Sequence, residues 1–302
     1  MTRTLKQILS HARNSMSHAL RSGSGVAFIV LTVLIGLALA NFAFAPIELG
    51  FIELEEFRTG AAKGIGLALS LATLQQGDPD SFLGRLEAGE LEDMTMWARY
   101  LVLEQPMLLS IIVLLLGLVL PLLLPLGSFA AISGDVQHRS IRYLLPRTTR
   151  TALLLGRLFG CLILSWLLIT GLLVAIILYL GIVLSLDSWN DLLPWGIRCL
   201  GALLILSFPY VSLGVLCSTI FRAPMVALLA SVGVAIAVPL IAFSARAAWE
   251  PLGQLLYLLP WGYSHQLLSP DGQTVTMATL YCLGHGLVFT LLAHLRFRRA
   301  DL

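Results

Sequence analysis

Six stretches of more than 20 residues in this chain contain no Asp, Glu, Lys or Arg: residues 22–47, 105–134, 158–186, 199–221, 223–245 and 272–295. Each exceeds the roughly 20 residues that a helix needs to cross a hydrocarbon core at about 1.5 Å per residue. A charge at mid-bilayer costs on the order of 3 kcal/mol, so six such gaps in one chain read as six membrane spans. Composition agrees. Of 302 residues, 12% are charged and 58% are hydrophobic, whereas a water-soluble domain carries about 25% charge. The expected fold class is an all-α integral membrane protein with six transmembrane helices, organised as one membrane domain over 1–302.

The charges that remain are sorted by side. The N-terminal segment holds Arg3, Lys6, Arg13 and Arg21 without an acid. Residues 133–157 hold five arginines against Asp135, Arg222 separates spans four and five, and the tail adds Arg296, Arg298 and Arg299. The alternate loops are acidic: residues 46–104 alone hold eleven acids. Thirteen of the nineteen basic residues and two of the seventeen acids thus fall on one side, which the positive-inside rule assigns to the cytoplasm. An even number of spans puts both termini there. The net charge of +2 is too small to suggest a nucleic-acid partner.

Other segments are expected to lie on the membrane. In residues 1–24, Leu5, Ile8, Leu9, Ala12, Met16 and Leu20 recur at helical spacing, with Lys6, His11, Arg13 and Arg21 largely off that stripe. This reads as a basic amphipathic helix in the cytoplasmic interface, the alternative being a disordered basic tail. Ala43-Phe44-Ala45 resembles a signal-peptidase site, but the preceding basic region is over twenty residues long, which argues against cleavage. The loop 46–104 is too long for a plain connection and is expected to form a helical extracytoplasmic cap. Its apolar stretch 64–74 is too short to span, and 85–106 reads as a surface helix leading into span two. Residues 246–271 are apolar but broken by Pro251, Pro260 and Gly262, as in a pair of re-entrant or interfacial helices beneath the outer surface.

Several chemistries are excluded. The four cysteines lie in apolar runs without C-x-x-C spacing, so zinc and redox frameworks are not expected. A P-loop needs a lysine after its second glycine, but the two lysines, Lys6 and Lys63, follow Leu5 and Ala62. Neither H-E-x-x-H nor G-x-S-x-G occurs. No catalytic residue and no metal site is expected, and no acid or lysine lies inside a span to serve as a proton relay. His285 in span six and Asn41 near the outer end of span one each serve either as an interhelical hydrogen-bonding group or as part of a substrate path. Pro121, Pro125, Pro209 and Pro239 are expected to kink their helices.

The polar island 133–157 is richer than topology alone requires. It presents Asp135, then S-I-R-Y-L-L at 140–145, Pro146, Arg150 and Arg157. A short helix over Asp135–Tyr143, ended by Pro146, is expected to lie along the cytoplasmic surface. This pattern resembles that of the permease subunits of ABC-2 type transporters, in which an acidic residue precedes a G-T-L-R-x-L-L-like segment, a proline and arginines. The six-span plan, the amphipathic N-terminal helix, the broken outer pair and the R-F-R-R-x-D-L ending are similar too. Asp135 stands where glutamate is usual, Arg139 where glycine is usual and Ser140 where threonine is usual.

The resemblance implies that the island is a coupling helix docked on a separate ATPase subunit. It makes Asp135, Arg139, Ser140, Arg142, Tyr143 and Arg150 the candidate contacts. It also implies an ATP-driven exporter: two ATPase copies holding ATP and Mg, no cofactor in this chain, and a second permease copy or a similar permease alongside. A bacterial-type inner membrane is the expected location, with an extracytoplasmic accessory protein as a further partner of the cap. Two other readings stand beside it. A self-sufficient secondary transporter or channel would show intramembrane charges or inverted repeats. A membrane-embedded enzyme would need convergent polar groups within the spans.

Overall fold

A computed structural model describes residues 3–48, 97, 100–144, 146, 148–184, 188–245 and 257–299. Every regular element among these described residues is helical. The α-helices are α1 (Arg3–Arg21), α2 (Gly23–Glu48), α3 (Met107–Ser128), α4 (Ser133–Gln137), α5 (Ile141–Leu144), α6 (Arg150–Tyr179), α7 (Trp189–Ile220), α8 (Pro224–Ala245), α9 (Trp261–Ser264) and α10 (Gly272–Arg299). Six of them, α2, α3, α6, α7, α8 and α10, are long and apolar enough to cross a membrane. The chain is therefore an all-α, multi-pass membrane protein. The body of the expected outer cap, 49–96, and residues 246–256 of the broken outer segment lie outside the described residues.

The charge-free runs locate the spans but not the helix ends. Helix α7 begins ten residues before its run, at Trp189. Ser188 caps it by accepting a hydrogen bond from the Asn190 amide at 3.3 Å, and Asp191 in the first turn suits the positive helix end. Arg198 consequently lies within the helix, yet it is fully engaged. Its guanidinium donates to the Tyr100 hydroxyl at 3.0 Å and to the Ser269 carbonyl, and it stands 5.5 Å above the Trp195 ring. Helix α6 likewise begins early, at Arg150, capped by Thr149, whose hydroxyl accepts from the Ala152 amide at 3.2 Å. Arg157 is thereby placed two turns inside it.

The spans form a centre and a rim. In the most apolar 18-residue stretch of each helix, 67% of the residues are buried in α7 but only 17% in α10. Helix α7 packs most extensively on α10 and α3. The exposed residues of the rim, among them Leu34 on α2, Leu229 on α8 and Leu287 on α10, are the surface expected to meet lipid or another spanning helix. Lipid tails are as apolar as leucine, so contacts among spans depend on close fit and interhelical hydrogen bonds. Three tryptophan indoles make such bonds: Trp195 donates to Ser110 Oγ at 3.0 Å, Trp166 to Ser207 Oγ at 2.9 Å and Trp261 to the Ala235 carbonyl at 3.1 Å. Gly214 of α7 lets α3 approach so closely that a Cβ there would meet Ser128 and lie 3.3 Å from Pro125 Cα. Pro121, Pro125, Pro209 and Pro239 all lie inside continuous helices.

The N-terminal helix has two apolar aspects. Ala12 and Ser15 are buried against α6, where Gly156 and Gly160 form a G-x-x-x-G groove. A Cβ on Gly160 would lie 2.6 Å from Ser15 Cβ and 2.8 Å from the Ala12 carbonyl oxygen. Leu5, Leu9 and Leu20 remain exposed. The stripe read from the sequence is thus divided, because α1 is clamped to span three along one ridge and keeps a second ridge outward. Gly160→Val is expected to overpack this contact and cost about 2 kcal/mol. Thermal unfolding in detergent, with trypsin cleavage at Arg13 as a local readout, would show a lowered midpoint and earlier cleavage of α1.

Candidate functional site

The polar island begins where α3 runs out of apolar residues. The chain leaves α3 through a turn, Phe129–Ile132, in which the Phe129 amide bonds to the Pro125 carbonyl and the Ala131 amide to that of Ser128, and enters α4. The first amides of so short a helix need an outside acceptor. Ser218, fully buried near the end of α7, provides it. Its Oγ accepts from the Ile132 amide at 2.8 Å and the Ser133 amide at 2.9 Å, and lies 3.2 Å from Ser133 Oγ. One hydroxyl of span four therefore holds the start of the island.

A second anchor comes from α6. Arg157 donates to Asp135 Oδ2 at 2.7 Å, with side chains only 11% and 16% exposed. The other oxygen of Asp135 accepts from Ser140 Oγ at 3.0 Å. The expected single helix over Asp135–Tyr143 is instead two short helices, α4 and α5. The break falls at Arg139, whose φ of 56° is left-handed. Glycine adopts that conformation without strain, whereas an arginine there carries a cost of about 1 kcal/mol. The Asp135–Ser140 bond closes the turn around it.

A third anchor fixes the far end. Arg150 donates through one guanidinium nitrogen to the carbonyls of Phe297 at 2.9 Å and Arg298 at 3.0 Å, in the last turn of α10. A cation at that helix end also meets the negative end of the helix dipole. The island is thus tied to α6, α7 and α10 together.

The six candidate contacts separate accordingly. Asp135, Ser140 and Arg150 are occupied with internal partners, whereas Arg139, Arg142 and Tyr143 are exposed, Tyr143 by 80%. Arg139 and Arg142 border a hollow of about 460 Å³ with Val136, Gln137, Ile141 and Arg222. From the sequence, Arg222 reads only as the charge separating spans four and five, and Gln137 and Ser218 are not singled out. A serine in a spanning helix signals an interhelical hydrogen bond, but the partners of Ser218, the Ile132 and Ser133 amides, lie 86 and 85 residues away. Arg157 carried a signal, a charge opening span three, without a hint of its partner.

The two remaining candidates lie elsewhere. Asn41 is exposed on α2. His285 of α10 has Nδ1 2.7 Å from the Tyr281 carbonyl oxygen and Nε2 3.0 Å from that of Tyr257, with Tyr263 and Phe289 beside it. A neutral ring donates to one of these carbonyls at a time. His285 therefore lies where the outer segment meets α10, and the structure does not bring it together with the island.

Helix α1 covers the island's base. His11 Nε2 lies 3.1 Å from Thr148 Oγ1. Burial holds the His11 pKa below its ordinary value of 6.5 and the neighbouring Arg157 adds to this, while Asp135 acts in the opposite sense. A histidine so depressed binds its proton more readily when released. Docking of α1 is therefore fully supported above pH 6.5 and weakens as pH falls below it.

Residues 9–302 match the family described as ABC-2 family transporter protein. The chain belongs to that family: it is an ABC-transporter permease-type membrane protein, with six helices long and apolar enough to cross a membrane among its described residues. No curated protein matches it.

Three variants test the site. Asp135→Asn leaves Arg157 buried without its counter-charge and is expected to cost about 3–5 kcal/mol, read as a lowered unfolding midpoint. Arg139→Gly, which removes the left-handed strain along with an exposed side chain, is expected to leave folding stability unchanged or to raise it by about 1 kcal/mol. Measured relative to an unstructured reference peptide at the same pH, which corrects for the pH dependence of trypsin itself, cleavage at Arg13 between pH 8 and 5 is expected to accelerate in the native chain and to stay flat in His11→Gln.

Proposed function

We propose that this chain is the permease subunit of an ATP-driven exporter and that the island is where a separate ATPase subunit docks. The observation that carries the reading is the division of the island. Arg139 and Arg142 face outward beside Arg222, Tyr143 is exposed next to Arg142 in the chain, and Asp135, Arg150 and Ser218 fasten the segment to three spans from behind while Ser140 braces Asp135. A segment that transmits force needs both an accessible face for its partner and a stiff connection to what it moves. In this assignment Arg139, Arg142 and Tyr143 touch the ATPase, and Asp135, Ser140 and Arg150 position them. The partner's groove is acidic and apolar, to match three arginines and a phenol.

Two ATPase copies, holding ATP and Mg, would bind beneath two permeases, either two copies of this chain or this chain and a similar one. Closure of the ATPases on ATP would push α4 and α5, and the three anchors would carry that displacement into α6, α7 and α10. The island, both termini and α1 would then lie on the cytoplasmic side of a bacterial inner membrane, with α1 along the interface. The acidic loop 46–104 would face outward, where it would meet an accessory protein.

The test is co-purification from detergent with the candidate ATPase, using the native chain, the double variant Arg142→Glu/Tyr143→Ala, and Asp135→Asn. The native chain is expected to retain the ATPase. The double variant is expected to lose it by at least about tenfold, equivalent to about 1.4 kcal/mol, while unfolding as the native chain does. Asp135→Asn is expected to lose it in step with its lowered stability. A native chain that purifies alone and moves solute across vesicles without ATP would replace this reading with that of a secondary transporter.

A further inference from the structure

A second cavity, of about 740 Å³, lies behind the island, enclosed by α1, the start of α2, the end of α3, α4, α5, α6 and the start of α8. It is much larger than an ordered water requires and falls in the range of small-molecule sites. Its lining is divided. Asn14, Ser15, Ser22, His138 and the Arg157–Asp135 pair supply polar groups, and Leu126, Phe129, Ala130 and Leu144 an apolar wall. Arg157 Nε is buried and has no hydrogen-bond partner. Arg13 and Arg21, one residue before Asn14 and Ser22, are exposed and add positive charge near the polar end.

The rim of the cavity leads onto apolar surface. Gly25 and Pro224 line it, and the residues that follow them are exposed and apolar: Val26 and Val30 on α2, Met225 and Leu229 on α8. A ligand with its polar group among Ser15, Ser22 and Arg157 would extend its chain along these residues into the hydrocarbon. Position, charge and division of polarity fit one class of molecule.

We propose that this cavity holds a phospholipid, its phosphate toward Arg157, Ser15 and Ser22 and one acyl chain along α2 and α8. Bound there, the lipid touches α4 and α5 from the side opposite Arg142 and fills the space into which the island would otherwise yield. The lipid is a resident part of the island's support and is distinct from cargo.

The inference rests on the membrane-spanning fold and not on the ATPase. The test therefore uses the full chain alone, in lipid nanodiscs containing a phosphatidylglycerol with a photoactivatable acyl chain. Because the probe is present in both leaflets, the outcome does not depend on orientation. Cross-links mapped by mass spectrometry are expected on residues 14–25 and 126–144 at about tenfold the yield on the exposed Leu287–Leu291 face of α10. Unlabelled phosphatidylglycerol is expected to compete, and glycerol phosphate at equal concentration to leave the labelling unchanged. Ala130→Trp, which fills the apolar wall, is expected to reduce the enrichment to the level of α10. Labelling no stronger there than on α10 would overturn the proposal, as would displacement by glycerol phosphate. Enrichment that survives Ala130→Trp in a chain with native unfolding behaviour would also overturn it. The native-chain map decides the matter by itself if Ala130→Trp does not fold.

Discussion

The Asp135–Arg157 pair is the interaction on which the island depends. Arg157 lies two turns inside a spanning helix, where a lone guanidinium would be costly, and Asp135 lies in a five-residue helix too short to hold itself together. Each resolves the other's difficulty. The bond neutralises the buried cation and fixes a segment that has few contacts of its own. Ser140 then shares the carboxylate and closes the left-handed turn at Arg139, so the outward direction of Arg142 and Tyr143 follows from an inward bond.

Around this pair the fold distributes its polar groups sparingly. Helix α7 sits at the centre and exposes little, and it carries Ser207 and Ser218, which receive bonds from an indole and from two island amides respectively. In hydrocarbon such bonds are modest in energy but specific in direction. They connect a rim helix and a surface segment to the one span that touches nearly all the others. The cleft behind the island is compatible with this economy: its polar end is lined by groups already needed for anchoring.

Glycine determines where the N-terminal helix rests. Hydrophobic patterning makes α1 amphipathic but does not choose its surface, and Gly156 and Gly160 provide the shallow groove that lets Ala12 and Ser15 reach the backbone of α6. The same close approach brings His11 to Thr148 and so to the island's exit. A pattern read as one apolar stripe is consequently divided between a ridge packed on α6 and a ridge that stays exposed.

Six spans and the all-α class were legible in the sequence, because hydropathy and charge are properties that each residue carries alone. The placement of the island between spans two and three was legible for the same reason. Its division was not. Asp135, Ser140 and Arg150 look in the sequence like Arg139, Arg142 and Tyr143, polar residues of one loop. Their inward direction depends on Arg157, Phe297 and Arg298, the last two 147 and 148 residues distant from Arg150. Charge counting also placed the starts of spans three and four several residues late, since it registers where charges cease and not where caps such as Thr149 and Ser188 begin a helix. The sequence by itself determined which segments enter the bilayer, because the cost of transfer is local. Which polar groups face one another, and which are left for a partner, only the tertiary structure decided, because a hydrogen bond exists only where two distant pieces of backbone are held within 3 Å or so of each other.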